Sequence, residues 1–348
     1  YKMMLFFLNL WSIFHLASQN PTHYWTLKPN VLVLVVTGEV GRHPLSCLHS
    51  GISTEDKGRG IFWRKDGVKV ESMGNTHFVE LRESFGRGNY SCHSEDGALL
   101  NHTEVLIQED DTQRKKILLP EGDDYLKCSA VNYSGEFHCS WKWHPSRVGK
   151  VALIKALRPD LHCTEVSDGQ WTCLSSWSNM SCSVDVGRQS ITCLDALHCP
   201  YAEETQFIRI SVYLSNDFLV ENYSKHFYLS EIVTPDKVQI SKVNKTTIEW
   251  TYPSSWASPY SYFPLTFQIA QAQRNPCTYC SWHKKTKTVN CVDNCRCKLK
   301  GSTKAVCVRA KDALSNAKWS EWSPVRLRLK EKKKNRSRSR HLLTSLKL

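Results

Sequence analysis

Cys47, Trp63 and Cys92 constrain the first third of this chain more than any other set of residues. A cystine joining strands of two opposed sheets, with an indole packed on its sulfurs, needs these residue types in this order, and it forms the core of an immunoglobulin-like sandwich. Tyr90 stands two residues before Cys92, where a tyrosine corner belongs. Gly86 occupies the place of that corner's usual acidic residue, which leaves its supporting contact open. Residues 30–36 read as an early apolar strand, and residues 61–65 as the central one.

The compartment follows from the N-terminal end. Met3 or Met4 opens an apolar run over residues 5–16 that ends in the small residues Ala17 and Ser18, and polar residues follow. This pattern predicts a secretory signal over residues 1–19, too short to span a bilayer. No later stretch holds the roughly 18 consecutive apolar residues that a membrane helix needs, and residues 342–348 lack the signal for a lipid anchor. A secreted chain is therefore expected. Its 15 cysteines then imply disulfides, and the odd count leaves at least one over. The length suits three all-β domains of about 100 residues each. They are predicted as an immunoglobulin-like sandwich over 20–108, fibronectin type III sandwiches over 109–233 and 234–330, and a basic tail over 331–348.

Near the end of the chain, Trp319-Ser320-Glu321-Trp322-Ser323 sets two indoles three residues apart. Upstream, residues 306–311 read as a strand with Arg309 and Lys311 on one face; downstream, Arg326 alternates with apolar residues in the same way. Cations beside indoles predict a ladder of contacts, each contributing about 0.5 to 2 kcal/mol. The interleaved Ser320, Glu321 and Ser323 are poor core residues, which argues against two tryptophans buried independently.

This segment resembles the WSxWS box of class I cytokine receptors. Cys128 and Cys139, eleven apart, with Cys139-Ser140-Trp141 as a Cys-x-Trp signature, resemble the same family, as does a further pair, Cys173 and Cys193. The blocks Cys128 to Cys139, Cys199 to Glu204, Glu221 to Ser224, Ser261 to Phe267 and Val308 to Asp312 are similar to the beta-subunit family shared by interleukin-12 and interleukin-23. The resemblance covers roughly residues 24–325. It implies a receptor-like chain without a membrane segment, secreted while bound to a four-helix alpha subunit. It also implies an elbow near residues 231–237 that grips that partner, with an acidic pocket for an arginine formed by Tyr133, Glu203, Tyr262, Phe263 and Asp312. A planar guanidinium suits paired carboxylates and aromatic walls better than an ammonium does.

By the same resemblance Cys199 forms the interchain disulfide. Its alternative is an internal bridge to Cys163 or Cys182, and a Cys163 to Cys182 pair would leave it free. Membrane receptors for interleukin-12 and interleukin-23 are the implied downstream partners, with the first domain as a receptor surface; a homodimer stays open. In the third domain Cys277, Cys280, Cys291, Cys295, Cys297 and Cys307 crowd together, and the family's cysteine after the box is missing. Their pairing is left open. A zinc site from Cys277, Cys280, Cys295 and Cys297 is drawable, but an oxidising compartment favours disulfides.

Residues 326–340 carry +8 and residues 283–304 carry +6 of a formal net charge of +13, so the basicity is C-terminal. In a secreted chain such a stretch meets sulfated glycans such as heparan sulfate rather than nucleic acid, or simply solvates the tail. Sequons stand at Asn101, Asn132, Asn179, Asn222, Asn244 and Asn335. Asn89, formally another, is expected to lie in a packed strand. No nucleophile elbow, phosphate loop or His-Glu-x-x-His helix appears, so neither enzyme nor cofactor is expected. The competing readings are a soluble receptor alpha chain that releases its ligand, and an adhesion protein. A covalent tie through Cys199 separates a permanent subunit from the first, and an adhesion protein has no requirement for the WSxWS box.

Overall fold

The computed structural model describes residues 23–327 except 37–40, 49–59, 82–85, 110–114, 159–161, 168, 175–178, 186, 188, 217–218, 245, 273–285 and 293–294. The signal segment, the basic tail, Cys277, Cys280 and Asn335 lie outside the described residues, as do the side chains of Cys163, Cys173 and Asn179. The described residues are nearly all β, with one short helix, Leu229–Ile232. Two compact units are present: residues 1–130 with 134–229, and residues 131–133 with 230–348.

The N-terminal unit opens with a sheet ordered Tyr24–Lys28, Val31–Val36, Leu99–Glu109, Gly88–His93, Phe62–Lys65 and Val68–Met73; a second, two-stranded sheet pairs Gly41–Ser46 with Thr76–Leu81. Period-two alternation sends Leu45, Cys47, Val79 and Leu81 from one sheet and Leu34, Trp63, Cys92, Val105 and Ile107 from the other into one core. The Cys47 to Cys92 disulfide joins the sheets at a Cα separation of 5.9 Å. Trp63 is buried and donates its indole N–H to Gly74 O at 2.9 Å. Tyr90 donates its hydroxyl to the backbone carbonyl of Gly86 at 3.1 Å, so the corner requires no acidic side chain. A Cβ at Gly86 would lie 2.4 Å from Glu80 O, which only glycine avoids. Asn30 takes a positive φ of 63° in the turn, so the apolar strand begins at Val31. Asn89, contrary to the expected packed position, is exposed, because the alternation that buries Tyr90 turns its neighbour to solvent.

The same unit contains a second sandwich. One sheet orders Lys127–Ser129, Glu136–Ser140, Ser190–Asp195, Asn179–Asp185, Gln170–Leu174 and His162–Ser167; another orders Lys150–Leu157, Ile208–Ser215 and Val220–Phe227. Ile208, Ile210, Val212 and Leu214 are fully buried along the central strand of the latter. Cys128 and Cys139 face each other in register and are bonded. Cys193 is bonded to Cys182 and not to Cys173, a correction to the expected pair. The reason is register: Cys182 lies directly opposite Cys193 on the adjacent strand, with Cα atoms 4.1 Å apart. Cys173 is one strand further out, opposite Cys163. A Cys163 to Cys182 bridge is thereby excluded.

A buried carboxylate fastens the segment that enters this second sandwich, where Leu118–Leu119 pairs with Lys142–Trp143. The Glu221 carboxylate accepts hydrogen bonds from Lys116 N and Ile117 N, each at 2.8 Å, and from the Tyr223 hydroxyl, which itself accepts from Leu118 N. A carboxylate is nearly the only side chain able to satisfy so many converging donors. Trp25 also meets Tyr213 edge-on at 5.1 Å, with the Lys155 ammonium over both rings.

The C-terminal unit is a sandwich of Gln239–Val243, Thr247–Thr251 and Cys295–Lys298 against Thr286–Asn290, Leu265–Ala272, Ala305–Asp312 and Ser323–Arg326. Trp250 packs edge-on against Phe267 at 5.6 Å in its core. Cys291 and Cys295 are bonded, Cys307 is disulfide-bonded, and Cys297 is a free, buried thiol. With its sulfur committed to Cys291, Cys295 has no thiolate for zinc, and the drawn tetrad fails.

Candidate functional site

Four of the five residues read as a partner pocket belong to the C-terminal unit and meet there. The loop over residues 253–264 is shaped by its own hydrogen bonds: Tyr262 N and Phe263 N both donate to Pro259 O, and the Trp256 indole donates to Phe263 O at 2.9 Å. Tyr133 stacks on Phe263 with ring centres 5.3 Å apart and meets Trp256 edge-on. Tyr262 packs edge-on against Phe263 and stays half-exposed. The Tyr133 hydroxyl donates to Asp312 Oδ2 at 2.8 Å.

Asp312 ends its strand because its side chain captures the next turn: Oδ1 accepts from Leu314 N at 2.6 Å and from Ser315 N at 2.9 Å. The residue is only 2% exposed. Two donors saturate Oδ1, and one leaves a single lone pair on Oδ2. A guanidinium reaching this carboxylate therefore finds one acceptor position, not the paired oxygens of a bidentate clamp. Glu203 is exposed and belongs to the N-terminal unit.

The indole ladder is built at the same end of the C-terminal sandwich sheet. The Arg309 guanidinium lies between both tryptophans, 4.8 Å from the Trp319 ring centre and 4.4 Å from that of Trp322, while the Lys311 ammonium is 5.4 Å from Trp319. Gln268 Oε1 accepts from Arg309 Nε at 2.8 Å and fixes the fork. Burial lowers the Arg309 pKa, although a guanidinium keeps its charge throughout the physiological range. Ser320 is buried and exchanges hydrogen bonds with Ala310, donating its amide and accepting at its hydroxyl. Glu321 points to solvent and pairs with Lys237 at 2.6 Å. Ser323 opens the last strand opposite Val308. Arg326 stands outside the ladder: it is exposed and pairs in register with Ala305, four residues from Arg309, or roughly 13 Å along the strand.

Cys199 is a free, exposed thiol. It sits in a turn closed by Ala202 N donating to Cys199 O. Among the sequons, Asn101 Nδ2 donates to Cys47 O and Asn132 Nδ2 donates to Ser255 O, so both amides that would carry glycan are engaged. Asn244 is exposed, and its Oδ1 closes the turn onto Thr246 N and Thr247 N. Asn222 accepts from the Ser224 hydroxyl, also through Oδ1. Sequence reasoning missed Gln268 and Arg158, whose partners Arg309 and Asp195 are remote in the chain, and Trp256, which meets the remote Tyr133 as well as Phe263 of its own loop; no spacing signals these contacts.

A cystine-bridged immunoglobulin-like sandwich, a fibronectin-like sandwich carrying neighbouring cysteine pairs, and a last sandwich with a guanidinium held between the tryptophans of a WSxWS box define a chain of the cytokine-receptor class. Among the described residues no helix is long and apolar enough to cross a membrane. The family model described as cytokine interleukin-12p40 C-terminus matches residues 123–216. The chain is 32% identical over 321 residues to interleukin-12 subunit beta of Sigmodon hispidus, covering 86% of this chain and 92% of that protein. It is 30% identical over 319 residues to the same subunit of Lama glama and 29% identical over 326 residues to that of Felis catus, with the same coverage. The chain belongs to the interleukin-12 subunit beta family; it is a cytokine subunit and not an enzyme.

Proposed function

We propose that this chain is secreted and captures a four-helix alpha subunit, becomes disulfide-linked to it through Cys199, and acts as half of a heterodimeric interleukin that signals through membrane cytokine receptors. The observation that carries the reading is the free, exposed thiol of Cys199 in a unit where Cys47, Cys92, Cys128, Cys139, Cys182 and Cys193 are all bonded. An exposed free thiol is uncommon in a secreted protein unless it has an intermolecular partner. The cluster of Tyr133, Tyr262, Phe263 and Asp312 supplies aromatic surface around a buried negative charge, which suits an arginine anchor. Glu203, close to Cys199 in sequence, offers an exposed carboxylate on the N-terminal unit. The three domain spans, the elbow near residues 231–237 and glycan binding by the basic tail belong to the same proposal.

The test is co-expression of the full chain with a helical interleukin-12 alpha subunit, followed by gels with and without reductant. A larger species that needs both chains, collapses on reduction and is absent in Cys199→Ser supports the reading. A wild-type chain that associates reversibly and never forms a covalent species refutes it in favour of a soluble receptor.

A further inference from the structure

Arg158, just past the strand Lys150–Leu157, is a cation with only 11% of its side chain exposed. Its fork reaches four different positions of one short segment. Nε donates to Asp195 Oδ2 at 3.0 Å, and Nη1 donates to Gln206 O at 3.0 Å. Nη2 lies 3.2 Å from His198 Nδ1 and 3.7 Å from Glu204 Oε1. A guanidinium has no acceptor, so His198 Nδ1 accepts and the neutral ring carries its proton on Nε2. Asp195 is 2% exposed and uses Oδ1 to accept from Leu197 N, closing the turn before Cys199. Glu204 accepts at Oε1 from Leu229 N, the first residue of the short helix. Gly135, at φ +92°, backs the turn so closely that a Cβ there would lie 2.7 Å from Asp195 O and 2.9 Å from His198 Cβ.

We infer that Arg158 is a positioning residue for the partner-binding segment: one buried guanidinium pins the chain before Cys199, at Asp195 and His198, and after Glu203, at Glu204 and Gln206. The inference rests on the partner reading above. It is chemically specific to arginine. The acceptors lie in several directions around a planar fork, and a lysine ammonium is a point charge unable to span them. The thiol itself has no contact with the fork. Arg158 therefore governs where the sulfur is held, not how reactive it is. A held thiol closes a disulfide within an assembled pair faster than a wandering one, because its effective concentration at the partner sulfur is higher.

Three measurements on the full chain test this with Arg158→Lys and Glu204→Gln. Amide hydrogen exchange of the peptide spanning 196–206 in the free chain is expected to rise about tenfold in Arg158→Lys, since local opening becomes easier. Glu204→Gln keeps an acceptor for Leu229 N while removing the charge facing Arg158, and a rise of about threefold is expected. The reaction of Cys199 with a maleimide in the free chain is expected to stay within about twofold of wild type. The rate of interchain disulfide closure with the alpha subunit, started by adding oxidant to reduced pairs, is expected to fall about tenfold in Arg158→Lys. Unchanged exchange over 196–206, or increased exchange with an unchanged closure rate, overturns the assignment. A chain that melts earlier but closes its disulfide at the wild-type rate shows a merely structural arginine and also overturns it. If Arg158→Lys fails to fold, Glu204→Gln decides by the same criteria. If the wild type never closes an interchain disulfide, the partner reading fails, and the exchange data still decide whether Arg158 holds the segment.

Discussion

Replacing Asp312 by asparagine separates the charge of the pocket from its scaffolding. Asp312 accepts three hydrogen bonds, from Leu314 N, Ser315 N and the Tyr133 hydroxyl. Alanine would remove all of them. Hydrogen bonds to a charged acceptor contribute about 1.5 to 3 kcal/mol each, so the loss would approach the whole stability of a domain. Asparagine is nearly isosteric. Its oxygen still accepts from the two backbone amides, and its NH2 faces a tyrosine oxygen that can turn to accept. Only the charge assistance is lost, at a cost of about 1 to 2 kcal/mol. That corresponds to a fall in melting temperature of roughly 4 to 16 °C for a domain of this size. Recognition of a partner guanidinium depends on the charge itself, and removing one member of a buried charge pair costs about 2 to 5 kcal/mol. Affinity for the alpha subunit should therefore fall about 100-fold, at 1.4 kcal/mol per factor of ten. The assay is surface plasmon resonance in a Cys199→Ser background, so that covalent capture cannot mask affinity, with a calorimetric scan of each chain. A folded Asp312→Asn chain that binds within about threefold of wild type would refute the idea that this pocket reads a cation.

Three further outcomes are expected. Arg309→Lys keeps the charge but loses the flat contact with both indoles and the Nε bond to Gln268, and should destabilise the C-terminal unit by about 1 to 3 kcal/mol in urea titration; an unchanged midpoint would remove the ladder as a stabilising feature. His43, His77 and His198 all lie below their ordinary value of 6.5, with burial the leading cause in each, joined by Lys65 at His77 and by Arg158 at His198, where Glu204 and Asp195 oppose the shift. The unfolded chain then binds protons first, so the stability of the N-terminal unit should be full above pH 6.5 and fall as the pH drops below it; a midpoint that stays level on acidification to about pH 5 contradicts the burial argument. Peptide mapping of the secreted chain should find glycan at Asn222 and Asn244 and none at Asn101 or Asn132, whose Nδ2 atoms are hydrogen-bonded in the fold; full occupancy at Asn101 would show that glycosylation precedes and overrides that packing.

Local pattern made much of this molecule readable. Cys47, Trp63, Tyr90 and Cys92 mark a sandwich core because a cystine, its covering indole and the corner tyrosine are bound to fixed strand positions. Arg309 and Lys311 share a face because side chains alternate with period two, and that alternation alone brings both to Trp319. What crosses from strand to strand was not readable. Cys193 meets Cys182 and not Cys173 through register, which spacing along the chain does not specify. Arg326 has the right alternation and the wrong end of its strand. Glu203 sits near Cys199 in sequence yet in a different compact unit from Asp312. Arg158 carries no motif at all; it becomes important only because the fold buries it among Asp195, His198, Glu204 and the carbonyl of Gln206. Alternation and cystine order are properties of a strand or of two strands, and the sequence determines them by itself. Register, burial and the convergence of remote polar groups depend on how whole sheets pack, so only the tertiary structure decides them.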